Sequence, residues 1–250
     1  PPTRAPRRGS GAVLLASVFV VAVCGLIYEL LAGALSSYLL GSSVLHFSIV
    51  IGLFLTAMGI GSLLSRLFTR NLLRTFLLVE VLVGLVGGAS ALVLFTAFAV
   101  LDSYVPLLVA VCLVVGTLVG LEVPLIVRIL RARVTLSAAL SNVLALDYLG
   151  ALAASLLFPL LLVPRLGLVR TGFLFGLINV AVAVLGLYHF RGQVPRARPL
   201  WGAAALVGAL MVGGLASAGS TTSMLEDVLY DDEIIYATTT PYQRVVITRW

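Results

Sequence analysis

Seven apolar runs occupy most of this chain, and their lengths restrict its possible folds more than any other feature of the sequence. The runs cover residues 12–40, 44–65, 72–100, 104–127, 136–163, 171–190 and 200–218. A helix that crosses a bilayer needs about 20 consecutive, mostly apolar residues. Hydrophobic residues make up 61% of the chain and charged residues 10%, whereas a soluble domain has about 45–50% and about 25%. We therefore predict an all-α membrane protein, in which residues 12–218 form a bundle of about seven transmembrane helices in a lipid bilayer.

The arginines concentrate in alternate connectors between these runs. One set of connectors, with the N-terminal segment, carries Arg4, Arg7, Arg8, Arg66, Arg70, Arg74, Arg128, Arg131, Arg133, Arg191, Arg196 and Arg198. The opposite set carries only Arg165 and Arg170. Short cytoplasmic loops are enriched in basic residues, so the tail of residues 1–11 is predicted to be cytoplasmic. Seven crossings would then place residues 219–250 outside the cytoplasm. Since the arginines are explained as loop charges, no nucleic-acid partner is expected.

Residues 219–250 differ in composition from the rest of the chain, because Ser, Thr and acidic residues replace the apolar runs. Two segments, 233–237 and 242–249, are rich in β-branched and aromatic residues, which predicts the two strands of a hairpin. An isolated two-stranded hairpin is only marginally stable in water. We therefore expect residues 219–250 to begin a larger soluble domain whose remainder lies outside this chain.

Three stretches of the chain together resemble one known family. They are LIYELLAGALSSYLLGSSVLHFSIVIGLFLTAMGIGS at 26–62, ALDYLGALAASLLFPLLLVPRLGL at 145–168 and LEDVLYDDEIIYATTTPYQRVVITRW at 225–250. The first two resemble the multi-helix membrane region fused to some bacterial spermidine synthases, which are polyamine aminopropyltransferases. The third resembles the N-terminal hairpin of the synthase domain itself. The resemblance covers most of the chain and implies a cell-membrane protein whose hairpin begins a Rossmann-like domain.

The resemblance also implies a reaction and one site residue. The reaction is aminopropyl transfer from decarboxylated S-adenosylmethionine, as co-substrate, to putrescine, and no further cofactor is expected. Gln243 matches the hairpin glutamine that contacts the adenosine portion of the donor or of its methylthioadenosine product. The catalytic acid and the Gly-rich nucleotide loop of the family lie downstream of the hairpin. We therefore expect this chain by itself to lack catalytic residues and to be inactive.

Several polar residues lie within the apolar runs, where an ionised side chain is costly and usually faces a bundle interior or a cavity. Glu29 and Asp147 lie well inside their runs, whereas Glu80, Glu122 and His46 lie nearer the ends. One interpretation is that the acids line a path for a proton or a cationic polyamine. The alternative is that each acid is protonated or makes a structural hydrogen bond to a neighbouring helix. No metal site is predicted.

Two functional hypotheses from different classes follow. The first is the membrane-embedded part of an aminopropyltransferase, and the second is a transporter or channel for polyamines or other cations. Glycine pairs spaced four residues apart, Gly116 with Gly120 and Gly172 with Gly176, predict close approach of helices. They also leave a homo-oligomer open.

Overall fold

The computed structural model describes residues 10–41, 43–100, 104–132, 134–229, 233–239 and 244–249. The helices are α1 (Ser10–Leu40), α2 (Ser43–Leu64), α3 (Leu72–Val100), α4 (Tyr104–Leu130), α5 (Leu136–Leu157), α6 (Val163–His189) and α7 (Ala197–Leu229). A short 3₁₀ turn, Ser65–Leu67, follows α2, and a π-helical turn, Phe158–Leu162, follows α5. Two strands, β1 (Glu233–Thr239) and β2 (Arg244–Arg249), come after α7.

The prediction of seven separate transmembrane helices is wrong in its count. Residues 136–189, predicted as two runs with a connector, form one helical segment, Leu136–His189, because α5 continues through the π-helical turn into α6. By length and composition, the described part of the chain holds six helical segments able to cross a membrane. The predicted position of residues 219–250 outside the cytoplasm depended on the number of crossings and stays a prediction.

The predicted connector around Arg165 is reduced to a single non-helical residue. Gly167 has φ 75° and ψ 174°, outside the helical region, whereas its neighbours on both sides remain helical. Glycine tolerates this positive φ because it has no Cβ. Pro159 lies within the wider π-helical turn, and a proline lacks the N–H that a regular helix needs. The segment therefore bends without a loop, which hydropathy alone does not reveal.

Helix α7 extends past the predicted boundary at residue 218, as far as Leu229. The hydroxyls of its polar half donate hydrogen bonds to carbonyls of the preceding turn: Thr221 to Ser217, Thr222 to Ala218 and Ser223 to Gly219, at 2.7–3.1 Å. These bonds satisfy the hydroxyls within the helix itself. The change in composition therefore does not end the helix.

Helix α1 lies at the centre of the fold, where it contacts α2, α3, α4, α5 and α6. Its fully buried side chains recur three or four residues apart: Cys24, Ile27, Tyr28, Leu31 and Leu35. This is the spacing of one helix face. Large apolar side chains instead point outward on α2 and α5, where Leu55 is 61% exposed and Leu152 is 56% exposed. The core is thus built around α1, and the periphery is apolar.

Glycines bring α3 and α6 into direct backbone contact. A Cβ placed on Gly84 would lie 2.8 Å from the carbonyl oxygen of Gly176, and one on Gly172 would lie 2.8 Å from that of Gly88. On α4, a Cβ on Gly116 would lie 2.7 Å from Cβ of Ala57 on α2. The close helix approach predicted from the glycine spacing is therefore confirmed, and these contacts join helices of the same chain.

The two strands β1 and β2 pair antiparallel, with an irregularity between Ile234 and Tyr236. They lie where the sequence predicted strands, although both strands differ from the prediction in one bound. Gln243, the predicted contact to adenosine, lies outside the described residues.

Candidate functional site

A chain of two buried hydrogen bonds connects three helices. The hydroxyl of Tyr28 on α1 donates to Oδ1 of Asn179 on α6 at 2.9 Å. The Asn179 amide in turn donates to Oε2 of Glu80 on α3 at 3.0 Å. All three side chains are at most 1% exposed. Oε2 of Glu80 is thereby satisfied by a partner on another helix, which agrees with the structural interpretation of this acid, while its Oε1 is buried without a hydrogen bond within the described residues.

Sequence reasoning did not single out Asn179 or Tyr28. The available signal was that Asn179 is the one side-chain amide in the run of residues 171–190. A buried amide needs hydrogen-bond partners on neighbouring helices. The partners themselves come from runs far away in sequence, so only the structure identifies them.

Glu122 on α4 is buried to the same degree but lacks such a partner. It is 1% exposed, and its Oε1 has no hydrogen bond within the described part of the protein. An ionised carboxylate without a partner is strongly disfavoured in an apolar environment. Glu122 therefore requires either a bound proton or a cation beside it.

Glu122 faces a pocket enclosed by α1, α2, α4 and α5. The pocket has a volume of about 150 Å³ and is also lined by Glu29 from α1 and Asp147 from α5. The remaining lining is apolar and includes Val21, Leu26, Leu55, Met58 and Val119. Three acids that the sequence places in three separate runs are thus brought to one pocket.

Gly25 allows α1 and α4 to approach each other closely beside this pocket. It lies on α1 among the lining residues, and a Cβ added there would lie 2.9 Å from Cγ1 of Val119 on α4. Any larger residue at position 25 would push α1 away from α4 or displace Val119. The glycine therefore allows α1 to bring Glu29 close to α4.

The other predicted site residues lie elsewhere or form no metal site. His46 lies near the start of α2 and is not among the pocket-lining residues. In the described segments, no three His, Cys, Asp or Glu side chains are arranged to share a metal ion. Cys24 and Cys112 are both buried free thiols.

Arg128 fixes the ends of two helices next to the pocket. Its Nη1 donates to the Ser65 carbonyl at 2.8 Å, and its Nη2 donates to the Phe68 carbonyl at 2.7 Å. Both acceptors lie just after α2, whereas Arg128 lies in the last turn of α4. The guanidinium thus gives the Phe68 carbonyl a partner, and it adds a second donor to the Ser65 carbonyl, which also accepts the backbone N–H of Phe68. It also holds together the two helices that supply Met58 and Glu122 to the pocket.

Curated proteins match nearly the whole chain. Polyamine aminopropyltransferase 1 of Ralstonia nicotianae is 53% identical over 98% of this chain and 48% of its own length. The polyamine aminopropyltransferase of Leptospira interrogans is 43% identical over 95% of this chain and 48% of its own length. Polyamine aminopropyltransferase 1 of Streptomyces coelicolor is 40% identical over 100% of this chain and 48% of its own length. No family model matches the chain, and no solved structure gives a significant match.

These matches confirm the relationship predicted from the sequence, and they also define its extent. The chain spans about half the length of the curated relatives it matches. By sequence, the chain is a homologue of the polyamine aminopropyltransferases of the spermidine synthase family, matched over about half of their length.

Proposed function

We propose that this chain is the helical part of a polyamine aminopropyltransferase that transfers an aminopropyl group from decarboxylated S-adenosylmethionine to putrescine. The observation that carries the proposal is the 53% identity to polyamine aminopropyltransferase 1 of Ralstonia nicotianae over 98% of the chain. Identity at this level over almost every residue supports a common function. Residues 219–250 would then lead into the transferase domain.

The proposed reaction sets clear demands on the protein. The nitrogen lone pair of a neutral amine attacks the methylene next to the sulfonium, a C–N bond forms, and the C–S bond breaks. The bonding electrons remain on sulfur, which leaves as the neutral thioether methylthioadenosine. A positioned carboxylate accepts the proton released from the amine. Within this chain, only Gln243 is proposed to contact the donor, through its adenosine portion.

We further propose that the helical part crosses the cell membrane several times, with the N-terminus in the cytoplasm. Six helical segments have the length and composition for this. Large apolar side chains face outward on α2 and α5, as a lipid environment requires. The arginines of the N-terminal segment and of the connectors after α2 and α4 support the orientation.

The test is a transfer assay on the complete protein purified in detergent. Decarboxylated S-adenosylmethionine and putrescine are supplied together, and methylthioadenosine and the aminopropylated amine are measured by mass spectrometry. We expect the two products in equal amounts and neither product when the amine is omitted. Folded protein that yields neither product with both substrates present would contradict the proposed activity.

A further inference from the structure

We propose that the pocket between α1, α2, α4 and α5 binds an aliphatic diammonium ion, which is a short alkane chain with a protonated amine at each end. This inference goes beyond the proposed function, because it assigns a ligand to the helices themselves. It depends on the acids of the pocket, on the unpartnered oxygen of Glu122, and on the shape and size of the cavity.

Glu122 gives the pocket a buried carboxyl oxygen that has no donor among the described residues. Oε1 is buried and has no partner among the described residues, and Glu122 lines the pocket. Buried polar atoms in native proteins are nearly always satisfied. A protonated amine offers N–H donors together with a positive charge, and such charge-assisted bonds are stronger than neutral ones. A bound ammonium group would therefore supply what Glu122 is missing.

The number of acids favours a ligand with more than one positive charge. Glu29, Glu122 and Asp147 all line the pocket, and its lining contains no basic side chain. A single monovalent cation would leave two of the three lining acids without a counter-charge. Two ammonium groups leave at most one, which a bound proton neutralises.

The arrangement of the acids favours an elongated organic cation over a metal ion. The acids come from three different helices, and no three of them in the described ranges are placed to share one metal ion. Multivalent metal ions such as Ca²⁺ require several oxygen ligands around one centre. The lining between the acids is apolar, with Val21, Leu26 and Met58 among its members. A methylene chain matches such a surface, because its burial removes apolar area from water and leaves no polar group without a hydrogen bond.

The size of the pocket limits the length of this chain. A cavity of about 150 Å³ accommodates a molecule the size of benzene, which has six heavy atoms. An unbranched diamine with four carbons also has six heavy atoms. The structure therefore points to 1,4-diaminobutane, or a diamine close to it in length, as the ligand that fits. 1,4-Diaminobutane is putrescine, the acceptor amine of the proposed reaction.

The test locates the ligand directly in the complete protein, reconstituted in lipid nanodiscs. The probe is a 1,4-diaminobutane that carries a photoreactive diazirine on its carbon chain and keeps both amines. After illumination, labelled residues are identified by mass spectrometry of the digested protein. We expect labels on α1, α2, α4 or α5 at pocket-lining positions, and we expect excess 1,4-diaminobutane to prevent them.

Variants separate binding in the pocket from nonspecific labelling of apolar helices. Glu122→Gln and Asp147→Asn should each reduce competable labelling at least tenfold. Ala151→Leu, which fills the pocket and retains every acid, should do the same. Glu80→Gln is the matched control, because Glu80 is equally buried but lies outside the lining. Its labelling should stay within about threefold of the parent, which corresponds to roughly 0.65 kcal/mol. If one variant fails to fold, the other two decide.

Three outcomes would overturn the inference. The first is pocket labelling that survives both Glu122→Gln and Ala151→Leu. The second is competition by butylamine as strong as that by the diamine, and the third is competition by sodium chloride at the same concentration as the diamine.

The transfer assay on the same preparations separates this inference from the proposed function. Labelling of the pocket without transfer would retain the inference and contradict the proposed activity, whereas transfer without pocket labelling would do the reverse.

Discussion

The side-chain amide of Asn179 on α6 donates a 3.0 Å hydrogen bond to Glu80 on α3, and both side chains are fully buried. On its other side, Asn179 accepts the hydroxyl of Tyr28 from α1. One asparagine therefore connects three helices through two buried hydrogen bonds. Because the interior around these groups is apolar, the loss of any member leaves another member unsatisfied.

Tyr28→Phe should lower the free energy of unfolding by about 1–3 kcal/mol, because Oδ1 of Asn179 then lacks its donor in a buried site. Chemical denaturation in detergent measures the loss. Tyr148→Phe is the control, since Tyr148 is 69% exposed, and a surface change is expected to stay within about 0.5 kcal/mol. Equal stabilities of the two variants would show that the buried hydroxyl is not stabilising.

Gly176→Ala should destabilise the protein by at least about 1–3 kcal/mol, the usual range for an overpacked core. Its added Cβ would lie 2.6 Å from the Gly84 carbonyl oxygen, so α3 and α6 would have to separate. In Gly213→Ala nothing lies within 4 Å of the new methyl. Alanine is favoured over glycine inside a helix by about 0.5–1 kcal/mol, so this variant should be as stable as the parent or more so. Thermal unfolding of both variants compares them, and the reverse order would contradict the close packing.

Arg128→Lys should loosen the segment that follows α2. Lysine retains the charge but not the planar fork that reaches both the Ser65 and the Phe68 carbonyl. We expect chymotrypsin to cleave after Leu67 or Phe68 several times faster in this variant, as followed by gel electrophoresis. Arg131→Lys is the control, because Arg131 is exposed just beyond the end of α4. Unchanged cleavage in Arg128→Lys would mean that the two bonds do not hold the segment.

Labelling in whole cells tests the proposed orientation at the two ends of α2, which has 22 residues. A helix of this length extends for about 33 Å, close to the thickness of a bilayer's hydrocarbon core. After replacement of Cys24 and Cys112 by alanine, Val44→Cys should react with an impermeant thiol reagent in intact cells. Thr69→Cys should react only after lysis, because it lies among the arginines predicted to be cytoplasmic. The opposite pattern would invert the orientation, and identical behaviour at both positions would contradict a membrane crossing by α2.

Gln243→Ala in the complete protein should weaken binding of methylthioadenosine by about 1–3 kcal/mol, the effect of leaving a buried partner unpaired. Isothermal titration calorimetry with methylthioadenosine measures the change. Gln193→Ala is the control, since Gln193 is exposed in the connector between α6 and α7. Equal affinities in the two variants would remove Gln243 from the proposed donor site.

Hydropathy predicted most of the helical architecture, because each run has to bury its backbone hydrogen bonds in a helix whatever surrounds it. The same reasoning failed at residues 158–167, where Arg165 resembled the charge of a connector but the backbone continued as a helix up to Gly167. It also failed at residue 218, because Ser and Thr hydroxyls bonded within α7 and allowed the helix to continue. Hydropathy measures how readily a side chain leaves water. The continuation of the helix at residues 158–167 and past residue 218 depended instead on backbone geometry and local hydrogen bonds.

The acids of the candidate site were recognised in the sequence as unusual, but their arrangement was not. Glu29, Glu122 and Asp147 are far apart in the chain, and no periodicity predicts that α1, α4 and α5 would bring them together. Glu80 belonged to the same group by type, yet the structure separates it from the others by giving it Asn179 as a partner. The distinction between Glu80, which is bonded to Asn179, and the acids that line the pocket thus depends on tertiary packing.

Tyr28 and Glu29 are consecutive residues of α1, so their side chains leave the helix about 100° apart. Tyr28 holds Asn179 in the core, while Glu29 lines the pocket on an adjacent side of the same helix. A turn of α1 about its long axis would therefore change both contacts together. The tyrosine hydroxyl therefore resists this rotation and keeps the angular position of the Glu29 carboxyl fixed, so that a hydrogen bond in the core orients one wall of the acid-lined cavity.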